Sequence, residues 1–159
     1  MREPHTFRPI RPDDEALLFQ IYASTREEEL APVPWTAAEK DAFLRMQFNA
    51  QHRFYQEQFP DASFQLILLG DCPVGRLYLH RREDEYNIID IALLPAYRNG
   101  GLGTTLLREV MAEADAAGKP VRIHVERFNP ALRLYERLGF SRIADTGVYF
   151  LMERAAGGG

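Results

Sequence analysis

Residues 97 to 103 read YRNGGLG and follow the apolar run IIDIALLP. Arg98 supplies a permanent cation able to make paired hydrogen bonds with an oxyanion. Asn99 tolerates a left-handed backbone. Gly100, Gly101 and Gly103 let a ligand meet main-chain N–H groups with no Cβ in the way. Leu102 and Thr104 begin the helical pattern that follows. The first turn of a helix leaves its amides without partners and carries the positive end of the dipole, so this junction predicts an anion site, with a pyrophosphate as the expected ligand. Asp90 is a carboxylate inside the apolar run, costly to bury unless it is paired, protonated or facing a wet cleft. His124 and Glu126, near the end of the alternating stretch VRIHVE, are its rivals as proton acceptors. Tyr135 lies on the apolar stripe of a short helix that Asn129 is expected to cap and Pro130 to enter. Simple core packing is the competing role for that tyrosine.

Three nucleotide patterns compete for the glycine loop. The Walker A pattern is absent. The dinucleotide fingerprint G-x-G-x-x-G starts at Gly101 and Gly103 but meets Leu106 at the third glycine, and PAYRN separates it from the strand. Glu126 is a passable acidic partner for it. Arg98-x-x-Gly101-x-Gly103 fits the third pattern, R/Q-x-x-G-x-G/A. Together with NPALRLYERLGF at 129 to 140 it resembles the acetyl-coenzyme A signature of the GNAT N-acetyltransferase superfamily. The resemblance covers roughly residues 86 to 150, and the first half shares only the order of elements. Two positions depart from it: the family usually has Gly where Asn99 stands, and often a basic residue where Gly100 stands.

That resemblance implies an enzyme that moves an acetyl group from acetyl-CoA (coenzyme A being the cofactor) to a primary amine of a small molecule or peptide, by direct attack on the thioester. The loop Arg98, Asn99, Gly100, Gly101, Leu102, Gly103 and Thr104 would bind the pyrophosphate. The backbone of Ile91 and Leu93 would run beside the pantetheine arm, a bulge near Leu93 and Leu94 would aim an N–H at the thioester oxygen, and Asn129 would touch the arm. Tyr135 matches the family's general acid by its spacing from Asn129, and Asp90 is the first candidate for general base. A water chain with no single base stays open. The acceptor pocket is expected around residues 22 to 55 and near Tyr149, with Trp35 in its wall and Glu27, Glu28 and Glu29 as an acidic mouth for a cationic amine. The competing role for those glutamates is a solvated helix face. A non-catalytic module that senses CoA or acyl-CoA is the alternative, and a dinucleotide oxidoreductase is disfavoured by Leu106. Many family members pair as homodimers, and the sequence leaves that open.

The elements that must position these residues follow from periodicity. TFRPIRP suggests a first strand, Asp13 the cap of a helix reaching about Leu30, and Thr36 the start of another reaching about Phe59. SFQLILL, VGRLYLH and YNIIDIALL read as an antiparallel meander. Leu102, Leu106, Leu107, Val110, Met111 and Ala114 recur at helical spacing, Gly118 ends that helix, VRIHVE is a strand, and GVYFLMER is the last one. The predicted class is α/β: a GNAT-like mixed sheet, antiparallel in its N-terminal half, with a βαβ crossover in its C-terminal half and helices on both faces. One domain over 1–154 with a flexible tail at 155–159 is expected of 159 residues.

With 19 Lys and Arg, 23 Asp and Glu and a net charge of -4, the chain lacks the basic clusters of a nucleic-acid binder. It shows no signal-peptide pattern and no run approaching 18 apolar residues, so no membrane association and a cytoplasmic location are expected. The single cysteine, Cys72, forms no internal disulfide, and no metal-ligand spacing occurs. His5, His52 and His80 read as surface residues.

Overall fold

The computed structural model describes residues 4–157. Seven strands, β1 (His5–Pro9), β2 (Ser63–Leu69), β3 (Cys72–Arg81), β4 (Tyr86–Leu93), β5 (Val121–Glu126), β6 (Ser141–Asp145) and β7 (Tyr149–Arg154), form one sheet in the order β1-β2-β3-β4-β5-β7-β6. The helices are α1 (Glu15–Ser24), α2 (Glu27–Leu30), α3 (Ala37–Gln58), α4 (Leu102–Ala116) and α5 (Leu132–Arg137). This is the mixed α/β class read from the sequence, with β4 and β5 parallel across the α4 crossover and β1–β2, β5–β7 and β6–β7 antiparallel.

By contacts the chain divides into two compact units, Met1–Leu77 with Ile91–Ala96, and Tyr78–Asp90 with Tyr97–Gly159. In the first, Leu18, Phe19, Ile21 and Tyr22 of α1, Phe48 of α3 and Leu66 of β2 form a buried cluster. Phe48 meets Phe19 edge-on at 5.8 Å and stacks on His52 at 5.4 Å. In the second, every residue of the α4 stripe from Leu102 to Ala114 is buried, as its spacing requires. Val121, Ile123 and Val125 of β5 are buried, and Arg122, His124 and Glu126 point the other way.

Four expectations need correction. The first helix is not continuous to Leu30. The Ser24 and Thr25 hydroxyls donate to the carbonyls of Ile21 and Tyr22 at 2.7 and 2.6 Å, and such local bonds compete with the helical ladder, so α1 stops and α2 restarts at Glu27. Asp14 rather than Asp13 stands at the N-cap of α1, and its carboxylate accepts from the Arg8 guanidinium at 3.0 Å and from the Arg11 N–H at 2.7 Å. The third is β6, a strand absent from the sequence reading. All five of its residues are exposed, its pairing with β7 is irregular between Arg142 and Ala144, and no apolar alternation announces it. Finally, His5, His52 and His80 are half-buried rather than on the surface. Burial, more than any neighbour, lowers the His52 pKa from 6.5.

Gly157 donates its N–H to Asp115 at 2.9 Å, beside the two bonds that Arg154 makes to the same carboxylate. The end of the predicted tail, residues 158–159, lies outside the described residues.

Candidate functional site

The glycine loop runs from a short 3-10 turn, Pro95–Tyr97, into the start of α4. Asn99 has φ 61° and Gly101 has φ 87°, so both predicted left-handed tolerances are used. Arg98, Asn99, Gly100 and Gly101 are exposed, Gly103 and Thr104 are half-buried, and Leu102 is anchored in the core. Gly101 takes the N-cap position and no side chain caps the helix. The Thr105 N–H and hydroxyl both return to the Gly101 carbonyl at 3.0 Å. The amides of Leu102, Gly103 and Thr104 therefore have no intrahelical acceptor and sit at the positive end of a fifteen-residue helix.

Asp90 is half-buried on β4 and Tyr135 is 6% exposed on α5. They are 45 positions apart in sequence, yet the charge of Asp90 acts on Tyr135: burial first and Asp90 second push the phenol above its ordinary value of 10.0. Tyr135 meets Phe140 edge-on at 5.8 Å, which holds its ring. The core role weighed for this tyrosine is seen in its burial, and the charge of Asp90 reaches the same side chain. A raised value favours keeping the proton, so in this state the phenol is a weaker acid than a free tyrosine.

Asn129 does not cap α5 as expected, because the helix begins at Leu132 with Ala131 at its N-cap. Instead its side-chain oxygen accepts from the Ala131 N–H at 2.8 Å while its own N–H donates to the Glu126 carbonyl at 3.0 Å. This tight turn leaves the Asn129 side-chain NH2 as a donor at the surface. Of the rival bases, Glu126 is half-buried and His124 exposed. The β4–β5 ladder consists of Tyr86↔Val121, Asn87↔Arg122 and Ile88↔Ile123, whereas β5 continues to pair with β7 out to Glu126↔Tyr149.

Ile91 and Leu93 are half-buried and lie on the part of β4 that belongs to the first unit. Glu27, Glu28 and Glu29 are all exposed on α2, and Glu29 is paired with Arg26 at 3.0 Å. Trp35 is 42% exposed and meets Phe43 edge-on at 5.3 Å. Tyr149 is 39% exposed, its main chain tied to Thr146. Among the described residues no group of three or more His, Cys, Asp and Glu gathers to hold a metal, and no helix is long and apolar enough to cross a membrane.

Two features escaped the sequence reading. Arg76 on β3 is 2% exposed and donates to Gln51 at 3.1 Å; nothing in its sequence neighbourhood marks it as internal. Gly75 is buried beside it, and a glycine inside a strand pattern is a known sign of close backbone approach.

Comparison with known proteins agrees with the fold. The model of the acetyltransferase (GNAT) family matches residues 18–140, and the chain belongs to that family. The fold is similar to that of the PaiA N-acetyltransferase of Thermoplasma acidophilum, solved in complex with coenzyme A (TM-score 0.72, 18% identity, 96% of this chain and 99% of that one). It is also similar to an acetyltransferase from Thermus thermophilus (TM-score 0.66, 21% identity, 96% and 97%). A third similar structure is the ribosomal-protein-S18-alanine N-acetyltransferase of Escherichia coli (TM-score 0.59, 20% identity, 96% and 94%). An uncharacterized protein of Mycobacterium leprae is 27% identical over 94% of this chain, which spans only 41% of that protein's length.

Proposed function

We propose that the protein is an acetyl-CoA-dependent N-acetyltransferase acting on a primary amine of a small molecule or peptide. The observation that carries this reading is the open start of α4: three amides without acceptors, at a helix end with no side-chain cap, behind Arg98 and a left-handed Asn99–Gly101 turn. That donor set fits a pyrophosphate, since it offers main-chain N–H groups, a helix dipole and a guanidinium and no carboxylate within the loop. Acetyl-CoA, when bound, would supply the activated acetyl group as a thioester.

The loop residues Arg98 to Thr104 bind the diphosphate in this proposal, and the free side-chain donor of Asn129 orients the pantetheine arm. The main chain of Ile91 and Leu93 would align the same arm, while the expected donation from a bulge at Leu94 does not hold, since the Leu94 N–H is given to the Val74 carbonyl. Asp90 takes the proton that the acceptor ammonium must lose. Tyr135 returns one to the departing sulfur, whose acid form titrates near ~8.5. Burial first and the charge of Asp90 second keep the phenol protonated, the form a general acid needs before it acts. The acceptor's identity is not specified by this argument, and the half-paired acidic stretch on α2 is a weak guide to it.

The test is thiol release from acetyl-CoA over an amine panel, alongside thermal unfolding with coenzyme A. Coenzyme A at a hundredfold excess over its Kd is expected to stabilise the protein by about 2.7 kcal/mol. Tyr135→Phe is expected to cut kcat by roughly 10²–10⁴ while leaving that stabilisation intact. Stabilisation by coenzyme A with no amine acetylated would favour the sensor alternative. Stabilisation by NADH and not by coenzyme A would overturn both.

A further inference from the structure

In an extended strand the Cβ stands out of the plane of the sheet, on the face where side chains pack. At Gly75 of β3 that position is already taken. A Cβ there would overlap the carbonyl oxygen of Ala92 and would lie 2.9 Å from Leu93 Cδ2 and 3.1 Å from Leu93 Cα. Two of these three neighbours are main-chain atoms, which cannot swing aside as the end of a side chain can. The last residues of β4 therefore come down on the face of β3, closer than two ordinary strands approach. Immediately beyond, the Leu94 N–H donates to the Val74 carbonyl at 2.8 Å, which fastens the stretch on its far side. Val74 is fully buried, and Ala92 and Leu94 pack on the α1–α3 cluster, so the contact is braced from both sides.

We propose that Gly75 is a positioning residue for acetyl transfer: its missing side chain sets the path of the main chain at Ala92 and Leu93. This inference rests on the proposed function, in which that same main chain aligns the pantetheine arm. Any side chain at position 75 moves Ala92 and Leu93 outward by several tenths of an ångström or more. Displacements approaching 1 Å in a reacting geometry lower rates by roughly 10²-fold. The glycine loop at 98 to 104 is separated from β4 by the Pro95–Tyr97 turn and has its own anchor in the buried Leu102. A change at position 75 is therefore felt by the arm and not by the diphosphate.

The experiment compares two ligands by calorimetry on the wild type and on Gly75→Ala. One is coenzyme A. The other is 3′-phospho-ADP, which carries the nucleotide and diphosphate without the pantetheine arm. Gly75→Ala is expected to weaken coenzyme A by about tenfold, to lower kcat by roughly 10²-fold, and to leave 3′-phospho-ADP unchanged. An equal loss for both ligands, or no loss for either, overturns the assignment. If the wild type binds neither ligand, the proposed function itself fails, which is a different result. Should Gly75→Ala not fold, amide exchange on the wild type decides: coenzyme A must protect residues 91 to 94 and 3′-phospho-ADP must not. Absence of that selective protection overturns the proposal.

Discussion

Two helices of this protein begin in opposite ways. At α3, the Thr36 hydroxyl accepts from the Glu39 N–H at 3.1 Å and the Glu39 carboxylate accepts from the Thr36 N–H at 2.9 Å. The Thr36 N–H first, and the Thr36 side chain second, hold the Glu39 carboxyl below its ordinary value. At α4, a left-handed glycine occupies the cap and no side chain reaches the amides. The first end is closed by the protein's own oxygens. The second presents the same kind of donors to whatever negative group arrives. Unmade bonds at a helix start weaken the fold, and filling them with a side chain stabilises it by about 1 kcal/mol. Leaving them bare at a glycine turn is consistent with selection for a ligand rather than for helix stability.

The contrast can be broken from either side. Gly101→Asp places an acceptor and a negative charge at the open end. Coenzyme A affinity should fall roughly 10²-fold or more, since charge-assisted bonds of about 1.5–3 kcal/mol each are lost and a repulsion is added. Calorimetry measures the affinity. Affinity that is unchanged would mean the open end is not the diphosphate site. Thr36→Ala opens the closed end. It should lower unfolding stability in urea by about 1 kcal/mol and leave coenzyme A binding untouched. A smaller effect is expected from pH. His52 has a depressed value in the folded protein, so the unfolded chain takes up a proton first as pH falls below 6.5. The stability from burying neutral His52 is present above that value and is lost as pH drops through the folded one. A pH series of thermal melts should show this slope between about pH 6.5 and 5, and His52→Asn should flatten it. Titration in that window should leave the affinity of the α4 loop for coenzyme A in place.

The same contrast explains how much the sequence disclosed. Both helix starts were legible, because a threonine ahead of a helical stretch and a cluster of glycines are local signals. The α4 stripe and the β5 alternation were legible for the same reason, and both turned out buried where the period demands. What could not be read locally was anything decided by distant partners. The reach of Asp90's charge to Tyr135 depends on how β4 and α5 come together, and no spacing encodes it. The close approach at Gly75 had only its faint sign, a glycine within a strand. The break between α1 and α2 turned on two hydroxyls that would be unremarkable inside a helix. The Asn129 turn kept the predicted side-chain acceptor but shifted it ahead of the helix, since Pro130 and Ala131 precede the first α-helical residue.

The irregular, fully exposed β6 has a consequence for how molecules of this protein meet one another. It is the outermost strand on its side of the sheet, and a flat outer strand invites a neighbouring chain to extend the ladder. Here the register slips between Arg142 and Ala144, and the flanking charges are engaged, Arg142 with Glu136 and Asp145 with Arg127. A second chain laid along β6 would find its hydrogen-bond partners out of step and would have to displace ionised side chains. That border of the sheet is thus poorly suited to edge-to-edge growth, which favours solubility at high concentration and directs any pairing of subunits to other surfaces.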